Sequence, residues 1–272
     1  LAQLIKQRAV LMSQLAETDP TMFLKYVLPA LESETEIEGI LEIIIQDDFD
    51  LRTSKTFYTL KTSQGDFSLH TPQVEQLEVW LSNTKIRVRG FKIDDKIVVN
   101  NPKINITKVA ENEILSAIDD SFGDQNTVVI LANFLNDSSE PMTPEEIRGI
   151  MFNDSDSLDA YYSEASFSNG SFSGQVYGWY TMPINATCIN SSIFFNAVSV
   201  ADQDVYFPPY SRVVIVHPQV DGCGFGGAGT IGQSSFGTDD GWTVASKAWI
   251  NRDWTDRQIF RHTIVHELGH NL

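Results

Sequence analysis

The sequence predicts an α+β protein with an N-terminal helical segment, a small antiparallel β module and a larger α/β subdomain closed by a helix. Three observations carry this. Leu4, Ile5, Leu11, Met12 and Leu15 recur at helical spacing. Between Ile37 and Val99, short apolar runs alternate with turn chemistry. Beyond residue 128 the order is strand, helix, strand, strand, helix, an α/β arrangement.

Taken in order, Asp19-Pro20 ends the first helix, and Thr21 to Leu28 follow as a second short one before Pro29. Ile40–Ile45, Phe57–Leu60, Ile86–Val88 and Ile97–Val99 read as strands, and Ile86-Arg-Val-Arg-Gly90 alternates as a half-buried strand does. Gln64-Gly65-Asp66, Ser82-Asn83 and Asp94-Asp95 supply the turns. This module is a small antiparallel sheet or barrel, and its lone His70 beside Pro72 reads as a surface histidine. Val128–Leu135 is a continuous apolar strand. Thr143-Pro144-Glu145-Glu146 opens a helix that turns Ile147, Ile150 and Met151 inward. Val176–Tyr180 and Val213–Val216 are further strands. The division is a helical segment over 1–35, a β-rich prodomain or accessory module over 36–110, a polar linker over 111–127 and the α/β part over 128–272.

Composition removes several functions. The 272 residues carry 36 acidic against 19 basic side chains, a net charge of −17. Binding to nucleic acid or to anionic membrane needs the basic surface this chain lacks. No apolar run reaches the ~18 residues of a membrane span. Cys188 and Cys223 are too few for a four-cysteine zinc site. Their polar, Gly/Ser/Asn-rich surroundings favour one disulfide, and hence an oxidising, extracellular setting, over two buried thiols. Six Asn-x-Ser/Thr triplets, at Asn105, Asn136, Asn153, Asn169, Asn185 and Asn190, point weakly the same way; as glycan acceptors they must be on the surface.

The chemistry sits at the C-terminus, in His266-Glu267-Leu268-Gly269-His270-Asn271-Leu272. Thr255 as N-cap, Gln258 three residues later and Trp254 packing on Ile259 give a capping box and a hydrophobic staple, so the motif is helical. Residues i and i+4 share a helix face, about 6 Å apart along the axis. Two imidazoles so placed can ligate one zinc ion. Glu267 points around the helix from both histidines, too far round to be a third ligand but within reach of water at the metal. Zinc lowers the pKa of its water and polarises a scissile carbonyl, and Glu267 acts as general base and then acid. His262, one turn earlier, is read as a surface or supporting histidine. Asp239-Asp240 and Asp202-Gln-Asp204 offer oxygen ligands for calcium but read as solvated turn acids.

His-Glu-Leu-Gly-His-Asn-Leu resembles the start of the metzincin zinc motif, and within that group the chain is most similar to gametolysin-like peptidases. The resemblance spans about residues 128 to 272. It includes Phe134, Pro141-Met-Thr-Pro-Glu-Glu146, Tyr161-Tyr-Ser-Glu-Ala-Ser-Phe167, Gly174-Gln-Val-Tyr-Gly-Trp-Tyr-Thr-Met-Pro183 and Asp221-Gly-Cys-Gly-Phe-Gly-Gly-Ala-Gly-Thr-Ile-Gly232. It implies a secreted zinc endopeptidase acting on extracellular or cell-wall proteins, with His266 and His270 as metal ligands and Glu267 as the catalytic residue. It also implies a twisted sheet with one edge strand along the cleft and an active-site helix beneath. On family spacing the third ligand, and with it a C-terminal subdomain, falls beyond Leu272.

The glycines between Gly222 and Gly232 lack a phosphate-binding pattern and read as a loop or bulge near that edge, admitting an extended substrate that adds as a β-strand. Cys223 lies within the catalytic part and is not read as a latency thiol. Any inhibition by the N-terminal region must therefore use acidic side chains or steric cover, and cleavage near 111–127 is expected to raise activity. Two alternatives stand beside this reading. One is a thermolysin-like peptidase whose third ligand is a distant Glu, which Gly269 and Asn271-Leu272 disfavour. The other is a noncatalytic extracellular binding or adhesion module that keeps a peptidase fold.

Overall fold

A computed structural model of the chain describes residues 2–28, 34–73, 77, 82–109, 122–252 and 256–272. The protein is mixed α/β and forms two compact units, Leu1–Ile43 with Thr56–Ser116, and Ile44–Lys55 with Ala117–Leu272.

The first unit opens with helices α1 (Ala2–Thr18) and α2 (Pro20–Tyr26). Asp19 caps α2 by accepting the Met22 N–H at 3.0 Å, and Pro20 takes a first-turn position where no N–H is missed. Met12, Ala16 and Phe23 bury against Ile93 and Val98 of the β module. That module is a closed five-strand barrel of β1 (Glu34–Asp48), β2 (Thr53–Thr62), β3 (Gly65–His70), β5 (Lys96–Val98) and β4 (Lys85–Ile93), β4 pairing back to β1. After the short helix α3 (Pro102–Asn105), strand β6 (Ile106–Lys108) pairs with β4.

The module is not wholly antiparallel, because β3 and β5 run parallel. The tight turn at Asp94-Asp95 folds β5 back on β4, which brings it alongside β3 in the same direction as β3. Along β4, Ile86, Val88 and Gly90 are buried while Arg87 and Arg89 are exposed, as the alternation requires. His70 ends β3 half-buried rather than on the surface, and loss of hydration holds its imidazole below the ordinary value. Residues 110–121, most of the stretch read as a linker, lie outside the described residues.

The second unit is built on β7 (Gly123–Phe134), β8 (Gly170–Met182), β9 (Arg212–Val216), β10 (Gly227–Thr230) and β12 (Gly241–Ile250). Their order is β10-β12-β9-β7-β8. Every pair is parallel except β10 with β12. β11 (Ser234–Thr238) forms a hairpin with β12. β7 starts at Gly123 rather than Val128, because its polar N-terminal residues already pair with β8.

Period-two alternation sorts β7 between two cores. Val128, Ile130, Ala132 and Phe134 face α6 (Asn190–Ala201) through Ile193, Phe194 and Ala197. Val129 and Leu131 face Ile147, Ile150 and Met151, from α4 (Pro144–Arg148) and the π-helical turn that follows it, and Phe260, Ile264 and Leu268 of α7 (Arg257–Gly269). α4 starts with the expected capping box, Thr143 and Glu146 each satisfying the other's backbone N–H. α5 (Leu158–Ala165) completes that layer.

Cys188 and Cys223 form a disulfide. Among the described residues no helix is long and apolar enough to cross a membrane. Of the six sequon asparagines, Asn136, Asn153, Asn169 and Asn185 are exposed and Asn105 is half-buried. Asn190 is buried at the start of α6, where its Oδ1 accepts from Gln46, so this triplet is not a surface acceptor.

His217 follows β9 fully buried, Nδ1 2.8 Å from the Pro218 carbonyl and its ring against Phe134. Burial pushes the imidazole from 6.5 down to about 4. The folded state therefore holds it neutral, and the stability tied to that form is complete above pH 6.5 and is lost as pH falls toward 4. We expect His217→Asn, which keeps a donor but cannot protonate, to remove on the order of 3 kcal/mol of acid destabilisation over that window. Urea unfolding at pH 7 and pH 4.5 checks this; an equal pH dependence in both proteins would contradict it.

Candidate metal centre

Helix α7 begins one residue later than the sequence suggests. Asp256 is its N-cap, accepting the N–H groups of Gln258 and Ile259 at 2.9 and 3.1 Å. A carboxylate at that position satisfies two orphan donors and favours the positive end of the helix dipole. Trp254 and Thr255, the expected staple and cap, lie outside the described residues.

The helix presents Phe260, Ile264 and Leu268 to the sheet at i, i+4 and i+8, each fully buried. Such side chains contribute roughly 1.5–3 kcal/mol each on burial. His262, His266 and His270 repeat the same spacing on another face. Two contacts fix the far end of the helix. The Tyr162 hydroxyl of α5 donates to the Val265 carbonyl at 2.7 Å, and the buried Asn271 donates to the Thr230 carbonyl at 2.6 Å.

The helix also lies against β10, and glycine makes this possible. A Cβ on Gly227 would sit 2.2 Å from Glu267 Oε1, and one on Gly229 would sit 2.7 Å from the Glu267 carbonyl and 3.2 Å from His270 Cβ. Gly227 and Gly229 belong to a paired strand and make room for the motif helix, which corrects the loop-or-bulge reading at these two positions, while Gly222 and Gly224 lie in the loop before it. The strand forms because Ala228 and Thr230, the intervening residues, are buried in the sheet.

His266 and His270 come together as the spacing requires, ring centroids 4.9 Å apart. Asp47, near the end of β1, joins them. Its Oδ2 lies 2.8 Å from His270 Nε2 and 3.4 Å from His266 Nε2. All three donor atoms lie within 4.8 Å of one another, and among the described residues no other group of this kind occurs. Tetrahedral zinc, at about 2.0–2.1 Å from each donor, wants donors about 3.3 Å apart, so the group fits a metal ion with small side-chain movements. Asp47 belongs to the same compact unit as α7.

Glu267 faces inward beside this group and is fully buried, and neither carboxylate oxygen has a hydrogen-bond partner. Burial first, and the Asp47 charge second, raise its pKa well above the ordinary carboxylate value. A buried, unpaired carboxyl beside a potential metal site is where acid–base chemistry is to be sought.

His262 is exposed and takes no part in the group; it lines a cavity of 680 Å³ beside α5 and α7, with Tyr161, Glu164 and Arg261. Asp202 and Asp204 are engaged elsewhere, accepting from the Asp239 N–H at 2.7 Å and the Tyr180 hydroxyl at 2.9 Å. The sequence reading missed Asp47. The available signal was its place in the acidic run Asp47-Asp48-Phe49-Asp50, directly after an apolar strand. No protein-family model and no curated protein matches the chain.

Gly227→Ala should force α7 away from β10 and cost about 1–3 kcal/mol, the usual penalty of overpacking. The colliding atoms belong to the Glu267 side chain, so Glu267→Ala in the same chain should recover most of that loss. A double-mutant cycle read by urea unfolding checks this; strictly additive effects would contradict it.

Proposed function

We propose that the chain carries the zinc-binding helix of a secreted, metzincin-type endopeptidase of the gametolysin-like kind, acting on extracellular or cell-wall proteins. One observation carries the reading: the Nε2 atoms of His266 and His270 converge, with the buried, unpartnered carboxyl of Glu267 beside them. A carboxyl buried without a partner is costly for a helix that only packs. In a hydrolytic site it is a base held ready for water.

His266 and His270 would hold the ion. Zinc, when bound, supplies the Lewis acidity that polarises a carbonyl and acidifies water. Glu267 accepts the proton of the attacking water and returns it to the leaving amine. Its burial against Gly227 excludes bulk water and strengthens this exchange. Substrate in extended form would add along β10 by main-chain hydrogen bonds only on the side that Ile44–Asp47 occupies in this structure. β10 is paired on both sides, with β12 and with β1, so the sheet does not reproduce the edge-strand layout implied by the family resemblance. The Cys188–Cys223 bridge supports an oxidising compartment.

A second reading, a noncatalytic extracellular module, is favoured by one observation: Asp47 already satisfies His270 without a metal. Zinc titration separates the two. The catalytic reading predicts one zinc per chain, lost in the double variant His266→Ala/His270→Ala. It also predicts that the full-length protein cleaves denatured casein once the site is open to substrate. That cleavage disappears in Glu267→Ala and on chelation, with zinc still bound by Glu267→Ala. No zinc binding, or cleavage indifferent to Glu267, would leave the noncatalytic module.

A further inference from the structure

We infer, resting on the reading of His266 and His270 as metal ligands, that Tyr162 is a positioning residue for the metal group. Its hydroxyl holds the helical turn that carries both histidines, and Gly269 within the motif is the residue that admits it. Tyr162 stands in α5, whose start is fixed by Ser157 accepting the Ala160 N–H at 3.1 Å. Its ring packs on Phe172 of β8, centroids 4.9 Å apart, and Tyr161 meets it edge-on at 5.2 Å. Phe172 is itself tied to α5, its N–H donating to Asp159 Oδ1 at 2.7 Å. With the ring held between α5 and β8, the direction of the hydroxyl is set, and it donates to the Val265 carbonyl at 2.7 Å.

That carbonyl occupies a particular place. Val265 precedes His266, and Gly269 precedes His270. In an α-helix the Val265 carbonyl faces the N–H four residues on, that of Gly269. A carbonyl has two lone pairs, so the phenol adds a second donor to it. The anchored peptide group therefore belongs to the single turn between the two imidazoles. Rotating or stretching that turn would move one ring relative to the other, and a tetrahedral ion with fixed donor distances tolerates little of this. Asn271 anchors the helix beyond His270, whereas Tyr162 anchors the turn itself.

Gly269 gives independent support. It is exposed, so burial does not demand a glycine there, and its backbone does not lie in the left-handed region that favours one. A Cβ on Gly269 would meet Tyr162 Oη at 3.3 Å. Among the described residues it would meet nothing else within 4 Å beyond its chain neighbours and its own helix backbone. The glycine thus answers the hydroxyl. Burial raises the phenol above its ordinary value, so it remains a neutral donor. Tyr162 takes no ligand position; it acts through the backbone, as outer partners of a metal site fix the geometry of its ligands.

The test uses Tyr162→Phe, which keeps the ring and its packing but removes the donor. Zinc affinity is measured on the chain by competition with a chromophoric chelator, and ligand geometry by the visible absorption of the cobalt(II)-loaded chain. The expected result is an affinity loss of about tenfold with shifted cobalt bands. Tyr161→Phe, half-exposed on the same helix, should change neither. A lower thermal midpoint with affinity and bands unchanged would make Tyr162 merely structural and overturn the inference. Gly269→Ala crowds the same hydroxyl and should weaken zinc binding alone, but add no further loss to Tyr162→Phe. An equal added loss in both backgrounds would overturn the pairing of Gly269 with Tyr162. If thermal melting shows that Tyr162→Phe fails to fold, Gly269→Ala decides by itself, and unchanged affinity and bands overturn the inference. Zinc binding that survives His266→Ala/His270→Ala would sink the metal reading itself, and this inference with it.

Discussion

The contact between α7 and β10 governs the second unit. A helix can approach a strand this closely only where the strand has no side chains in the way, and Gly227 and Gly229 provide that gap. The gap is filled by the Glu267 side chain and the backbone of its own turn, so the motif helix and the strand edge are fixed as one body. Tyr162 and Asn271 lock the same helix from α5 and from the end of β10. A displacement there would be felt at once by His266, Glu267 and His270.

From that constraint the rest of the site follows. Phe260, Ile264 and Leu268 take the buried face of the helix, so the i and i+4 histidines must turn toward the rim of the sheet. The rim is β10, whose outward backbone groups need partners. Ile44–Asp47 supplies them and brings a carboxylate to the two imidazoles. Strand pairing and the placement of Asp47 beside His266 and His270 are thus one arrangement, set by register: a slip by one residue would turn the Asp47 side chain to the opposite face.

Local signals in the sequence carried much of this. The helix bearing the motif, the strands at Val128–Leu135 and Val213–Val216 and the Thr143 capping box are short-range patterns, and period and capping chemistry reveal them. Asp47 is separated from His270 by 223 positions, and only strand register joins them. No local pattern encodes register, so the place of Asp47 beside the histidines stayed hidden although its acidic run was visible. The same reason explains the parallel β3–β5 pair, which depends on barrel closure. The glycines of β10 were visible but misjudged, because their need comes from a helix packed against them and not from their own backbone. Asn190 shows a further limit: a glycan triplet reads the same whether its asparagine is exposed or, as here, buried.

The central claim is that His266 and His270 hold zinc with Asp47 in this chain. Zinc-edge X-ray absorption on the loaded protein measures it most directly. The account predicts two imidazole nitrogens and a carboxylate oxygen at about 2.0–2.2 Å, the imidazole signal vanishing in His266→Ala/His270→Ala and the oxygen shell changing in Asp47→Asn. A zinc shell without imidazole would contradict it.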